Sequence, residues 1–264
     1  MSTGSPSTDA AWEHLASLPG LESLWVYNTP SAKISNSISY GLTFPALKRM
    51  GVVVDDEDQH WPSLSPLLGS SLLRRITIEA RRGIECGDVP SQVTFAMLEA
   101  KLQRSVDNLT ITGFDPTYLT FLSHLKPSKS LKTLECIIQC RGSQQCVCPL
   151  EDSDIEKLAS ALPQLVTLRL GHRCEHSPYH TTIKSMISLS THCLSLETLY
   201  LHCDLTNIVE DVKTVSGEPD PRLEIRSLCP LSSLSYPSVP SCRLRRISRR
   251  RGLRFRLWAT CSPG

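Results

Sequence analysis

A group of cysteines and histidines in the middle of the chain has the residue types that bind zinc. Its members are Cys136, Cys140, Cys146, Cys148, His172, Cys174 and His176. Zinc takes four such ligands in a tetrahedron, and zinc-binding sequences commonly pair them as C-x2-C. The spacings here are C-x3-C, C-x5-C and C-x-C, so those pairs are missing. We therefore expect no metal site, with Cys136 in a strand core and the other cysteines in a loop.

The same segment also contains the two residue types of a Cys–His nucleophile pair. Residues 171–176 read Gly-His-Arg-Cys-Glu-His. A nucleophilic cysteine needs a base that is oriented by a third group, together with donors for an oxyanion, and the sequence identifies neither. Signatures of phosphate-binding loops and kinases are also absent from the sequence. We expect no catalysis and no cofactor.

A run of four acidic residues at 55–58 has carboxylates that suit a hard cation. A calcium loop alternates its ligands with other residues and contains a glycine at its sharp turn. Residues 55–58 have neither feature, so we interpret them as a solvated loop that follows a strand.

The elements that position these groups are indicated by a recurring phrase, L-x-x-L-x-L. It is clearest at residues 165–170 and 196–201, with looser copies at 21–26, 73–78, 106–111 and 131–136. Counting a further copy that begins at Leu47, successive phrases start 26, 26, 33, 25, 34 and 31 residues apart. The phrase is the strand segment of a leucine-rich repeat, whose unit is about 20–29 residues long. The longer steps need extended helices or loops.

Helical patterns precede several of the phrases. Residues 155–162 place apolar side chains at i, i+3, i+4 and i+7, with Ser153 as the expected N-cap and Pro163 as the stop. Further helices are predicted at 10–18, 93–104, 117–125, 183–190 and 205–215. Strands that alternate with helices predict an α/β leucine-rich-repeat solenoid, with a parallel sheet on the concave side and helices on the convex side.

The chain divides into three parts by composition. Residues 1–8 are small and polar and are expected to be disordered, residues 9–234 form the solenoid, and residues 235–264 are an arginine-rich tail. The tail has eight arginines and no acidic residue, which leaves 20 basic against 26 acidic residues in the rest of the chain. Because unpaired charges resist burial, we expect the tail to be disordered or foreign to the fold and not to extend the solenoid, with at most a short helix or strand in loose contact with the last repeat.

Composition also bears on location. No run approaches the 18 or so apolar residues of a membrane span. The first 32 residues contain no Lys or Arg and no continuous apolar stretch, so no secretory signal is expected. These observations predict a cytoplasmic or nuclear protein without membrane contact, whose 11 cysteines are reduced thiols.

One family resemblance rests on the two clearest repeats. Residues 149–171, PLEDSDIEKLASALPQLVTLRLG, and residues 191–201, THCLSLETLYL, resemble the repeats of fungal F-box proteins with leucine-rich repeats. In that family an N-terminal F-box docks on a Skp-type adaptor of a cullin–RING ubiquitin ligase, and the repeats choose the substrate. The resemblance covers about residues 10–235 and includes no F-box. It implies a substrate-recognition half, with adaptor and cullin partners only if an F-box lies outside this chain.

Side chains alternate across a strand, so the third, fifth and seventh positions of each phrase should share the face opposite the core. The predicted partner-binding residues on that face are Trp25, Tyr27, Arg49, Arg75, Glu79, Thr110, Glu135, Arg169, Tyr200 and His202. Trp, Tyr and Arg are the types that most often dominate binding energy. We therefore expect a non-catalytic protein-interaction module whose protein partner the sequence does not identify. The alternative is a nuclear or nucleic-acid-binding protein that acts through its arginine tail.

Overall fold

The computed structural model describes residues 9–28, 44–54, 70–80, 102, 104–113, 122, 127–138, 150–172, 181–203, 241–246 and 255–260. The helices with described bounds are α1 (Asp9–Ser17), α2 (Asp152–Ala161) and α3 (Ile183–His192). The strands are β1 (Ser23–Asn28), β2 (Arg49–Val54), β3 (Arg75–Ala80), β4 (Asn108–Thr112), β5 (Thr133–Ile138), β6 (Thr167–His172), β7 (Thr198–His202), β8 (Ser241–Arg246) and β9 (Phe255–Thr260).

These strands form one sheet in which each strand pairs with its neighbours in sequence, from β1 to β9. The first seven strands are all parallel. Parallel neighbours need a crossover connection, and α2 and α3 lie in the connections that lead into β6 and β7. The predicted α/β class with a parallel sheet is therefore confirmed.

The leucine phrase supplies the hydrophobic core. The six first-position residues after Leu21 are at most 1 % exposed, and they are Leu47, Leu73, Val106, Leu131, Leu165 and Leu196. The fourth and sixth positions are also buried, as Leu168 and Leu170 of β6 show. Burying a leucine side chain stabilises the fold by about 1.5–3 kcal/mol. The repeated phrase therefore builds one continuous layer along the sheet.

The helices cover the same side of the sheet. Leu158 of α2 and Leu189 of α3 belong to the same buried cluster as the strand leucines. Trp12 of α1 meets Phe44 edge-on, with 6.4 Å between ring centroids and an interplanar angle of 89°. Both rings are buried, so α1 covers the end of the core beside β1.

The expected cap of α2 is wrong. The helix begins at Asp152 with Glu151 as the N-cap, and Ser153 is an exposed residue of the first turn. The backbone N–H of Glu151 donates to Oδ2 of Asp154 at 3.2 Å. An acidic residue in the first turn favours this end of the helix, so the helix starts two residues earlier than expected. The predicted stop is correct, because α2 ends just before Pro163.

A carboxylate ties the beginnings of α2 and α3 together. Asp152 accepts hydrogen bonds from both N and Oγ1 of Thr182, each at 2.7 Å. It also accepts from Oγ of Ser185, a residue with no solvent exposure. Thr182 is itself the N-cap of α3 and accepts from the backbone N–H of Lys184 at 3.2 Å. One acidic side chain therefore fixes the relative position of two successive helices.

The same pair of backbone hydrogen bonds, which we call the backbone joint, links each phrase to the next. The carbonyl of the second-position residue accepts from the N–H groups of the second and third positions in the following phrase, at 2.7–3.1 Å. This occurs six times, at the carbonyls of Glu22, Lys48, Arg74, Asp107, Lys132 and Val166. The number of residues between successive phrases varies, but the backbone hydrogen bonds that join one repeat unit to the next are the same each time.

Two segments of the arginine-rich tail pair with the sheet as short strands. The strand β8 pairs antiparallel with β7, and β9 pairs antiparallel with β8. Leu244 is in register with the buried Leu199, whereas Arg243 is in register with Tyr200. Within the β7–β8 register, Cys242 and Leu244 lie opposite the buried Leu201 and Leu199, so no charged residue is opposite a buried residue of β7. The unpaired backbone groups at the edge of β7 offer the site for this pairing.

Several predicted features lie outside the described residues. These are residues 1–8, the acidic run at 55–58 and the helix at 205–215. Of the predicted helices at 93–104 and 117–125, the structure describes only Leu102, Arg104 and Leu122. Leu102 and Leu122 are both buried.

Candidate functional site

The side of the sheet opposite the core, which we call the outer face, carries the third, fifth and seventh positions of the phrases. The parallel register brings equal positions together in rows across the sheet. The fifth-position row consists of Trp25, Gly51, Thr77, Thr110, Glu135, Arg169 and Tyr200. Arg169 and Tyr200 are direct register partners, so they lie on the same face.

The β1 end of the outer face is aromatic. Trp25 is 49 % exposed and Tyr27 is 53 % exposed, although large aromatic side chains are usually well covered. A β-carbon on Gly51 would overlap atoms of the Trp25 indole. The indole therefore occupies the space above the neighbouring strand that a side chain would otherwise fill. Neither Gly51 nor this contact was predicted from the sequence.

Two arginines lie on the outer face of the next two strands. Arg49 and Arg75 are register partners on β2 and β3, and both are exposed. Next to them, Nζ of Lys48 lies 2.6 Å from Oε1 of Glu22. The hydrogen bond from Lys48 and its charge, with a smaller contribution from Arg49, lower the pKa of Glu22. The charge of Lys48 is therefore paired with Glu22.

The middle of the outer face contains an ion pair. Nη1 of Arg169 donates to Oε1 of Glu135 at 2.9 Å across β5 and β6. The side chain of Arg169 is 47 % exposed and that of Glu135 is 21 % exposed. The pair neutralises its own charge and leaves Arg169 accessible to a partner.

The outer face also carries a set of threonines, of which only Thr110 was predicted from the sequence. The outer-face threonines are Thr77, Thr110, Thr112, Thr133, Thr167 and Thr198. All six are partly buried. Oγ1 of Thr110 donates to Oδ1 of Asn108 at 3.4 Å. Applying the position rule evenly to every phrase would have identified the whole set.

The remaining predicted residues are less uniform. Glu79 and Tyr200 are partly exposed. His202 is the last residue of β7, and its side chain is outside the described part of the chain. Val53 was not predicted; it is 4 % exposed but is not part of the main hydrophobic cluster. The outer face therefore includes a buried apolar residue, Val53, that was not predicted from the sequence.

The cysteine and histidine group falls mostly outside the described residues. Cys136 is 1 % exposed within the core, and this burial raises the pKa of its thiol. His172 ends β6, and its side chain is not described; Cys140, Cys146, Cys148, Cys174 and His176 lie outside the described residues. Among the described residues, no three metal-binding side chains come together. The expectation of no structural metal stays a prediction.

Comparisons with known proteins found no match. No family model, no curated protein and no solved structure matches it. Within the described ranges, no helix has the length and apolar character needed to cross a membrane.

Proposed function

We propose that this chain is a leucine-rich-repeat solenoid whose outer face binds a protein partner and catalyses no reaction. Support for the architecture comes from the six equivalent backbone joints and from the buried phrase positions. In such a solenoid, units stack with a constant geometry and share one core. The helices share the core side of the sheet, so the outer face would line the concave surface.

The observation that carries the proposed binding role is the exposure of two neighbouring aromatic side chains on a paired strand. Trp25 and Tyr27 each leave about half of their surface in water. The same face carries Arg169 and Tyr200 as register partners. Trp, Tyr and Arg are enriched among residues that dominate protein interfaces.

The family resemblance makes the proposed role of the repeats more specific. The repeats would act as the substrate-recognition half of an F-box ubiquitin-ligase adaptor, in the cytoplasm or the nucleus. Adaptor and cullin contacts would then require an F-box outside this chain.

Affinity capture with matched surface variants tests the proposal. The outer-face bait is Trp25→Ala/Arg169→Ala, and the control bait is Glu156→Ala/Lys157→Ala, which changes exposed residues of α2. We expect a defined set of proteins to bind the wild type and the control and to be lost from the outer-face bait. Circular dichroism melting curves should show that all three baits are folded. Retention of the same proteins by the outer-face bait would contradict the proposal.

Nucleic-acid binding is a second candidate because of the tail register. Arg243 and Arg245 are in register with Tyr200 and Thr198 of the outer face. Positive charge that phosphates can reach is sufficient to neutralise them. The test is the binding of single-stranded DNA at low and at high salt. If this candidate is correct, the binding weakens as salt rises, and Arg243→Gln/Arg245→Gln abolishes it.

A further inference from the structure

The aromatic–arginine patch, formed by Trp25, Tyr27, Arg49 and Arg75, has an unusual charge arrangement. Neighbouring strands lie about 4.8 Å apart, so Arg49 and Arg75 hold two positive charges side by side. Like charges at directly opposed positions of a sheet are destabilising. Neither arginine forms an ion pair with another described residue. The pairing therefore does nothing for the sheet itself.

The patch also contrasts with the charge of the chain around it. Residues 1–234 contain 20 basic and 26 acidic residues. The outer-face positions of β1 and β2 contain no acidic residue, Glu79 is the acidic outer-face residue of β3 and lies four residues after Arg75, and Glu22 is paired with Lys48. A positive patch attracts an anionic group that comes close to it.

From this arrangement we infer that the patch binds an acidic, extended segment of a partner protein, an inference that rests on the proposed function. Carboxylates of the segment would pair with Arg49 and Arg75, since the guanidinium group is suited to carboxylate recognition. An apolar side chain of the segment would pack against Trp25 and Tyr27, each about half exposed. A nucleic acid is the poorer fit, because its binding depends on the number of phosphates that are neutralised, and the patch offers two arginines.

Selection from displayed random peptides tests the inference without knowledge of the natural partner. The full chain is presented with peptides of about twelve residues, which span roughly 40 Å when extended. We expect the selected peptides to be enriched in Asp and Glu and to contain an aromatic or aliphatic residue. Binding of a selected peptide should weaken when salt rises from about 0.1 M to about 1 M, which shortens the Debye length from about 10 to about 3 Å.

Reversing the charge of Arg49 and Arg75 tests whether these two residues select an acidic peptide. With Arg49→Glu/Arg75→Glu, a selected acidic peptide should bind at least about tenfold more weakly, and a new selection should favour Lys and Arg. Trp25→Ala should weaken the same peptide, whereas Lys157→Glu on exposed α2 should leave it unchanged. Melting curves identify any variant that fails to fold, and in that case Arg49→Gln/Arg75→Gln replaces the reversal.

The outcomes that overturn this inference differ from those that overturn the proposed function. Selection without acidic enrichment, failure to select any peptide, or tighter binding of single-stranded DNA than of the best peptide would each overturn it. If partner capture still depends on Trp25 and Arg169 in that case, the proposed function stands. If capture does not depend on the outer face, both fall.

Discussion

The indole of Trp25 occupies the space that a side chain on Gly51 would need. A glycine on one strand thus sets the position of an exposed aromatic residue on the next. We expect Gly51→Ala to displace Trp25 and to change stability by less than about 1 kcal/mol, because a half-exposed ring can move and alanine suits a strand interior better than glycine. Acrylamide quenching of tryptophan fluorescence should increase. In a Trp25→Phe background, Gly51→Ala should not change quenching, and an equal change there would contradict this contact.

Gly113, just after β4, should tolerate no side chain. Its φ is +82°, and an added β-carbon would overlap the carbonyl oxygen of Ala80. The left-handed conformation alone costs a non-glycine residue about 1–2 kcal/mol. We therefore expect Gly113→Ala to lower the free energy of unfolding by more than about 2 kcal/mol in urea denaturation. The matched control is Gly20→Ala, where nothing lies within 4 Å of the added β-carbon, and equal effects of the two changes would contradict the prediction.

Asp152 should contribute strongly to stability because it joins α2 to α3. Asp152→Ala removes the acceptor for Thr182 and for the buried Ser185. Hydrogen bonds to charged groups are worth about 1.5–3 kcal/mol, and a buried hydroxyl without a partner adds a further cost. We expect a loss of about 2–4 kcal/mol in the free energy of unfolding. Ser153→Ala is the control: a loss of about 1 kcal/mol there would restore Ser153 as the N-cap.

Cys193 should make the fold sensitive to alkaline pH. Burial raises the pKa of its thiol to about 11, above the usual value of about 8.5. The unfolded chain then loses this proton at a lower pH than the folded chain, so the stabilisation is complete at neutral pH and is lost as the pH rises towards 11. We expect the wild type to lose more stability than Cys193→Ala between about pH 8 and about pH 10.5 in guanidinium denaturation. Parallel losses would show that this thiol does not contribute.

Removal of residues 235–264 should expose the edge of β7, since β8 is its only described neighbour on that side. We expect faster hydrogen exchange at those β7 amides that β8 satisfies, and greater self-association in light scattering, because an open strand edge pairs readily. Amides of β3, far along the sheet, are the internal control. Unchanged exchange in β7 would show that the tail strands do not hold this edge in solution.

The sequence by itself determined the repeating strand and the side of it that is buried. Alternation along a strand is a local property, so Leu168 and Leu199 could be assigned to the core from their phrases alone. The α/β class follows from the helical segments between phrases. Arg169 and Tyr200 likewise fall on one face because equal positions of a phrase repeat in parallel strands.

Tertiary structure alone decided the features that join residues distant in the chain. A side chain at Gly51 is excluded by the indole of Trp25 on another strand. The carboxylate of Asp152 accepts a hydrogen bond from Thr182, which precedes the next helix. The pairing of the tail strands depends on tertiary structure in the same way: the arginines argue against burial, but the open edge of β7 favours backbone pairing whatever the side chains are. The composition of a segment gives its charge, but only the fold determines the face of the sheet on which the charged residues lie.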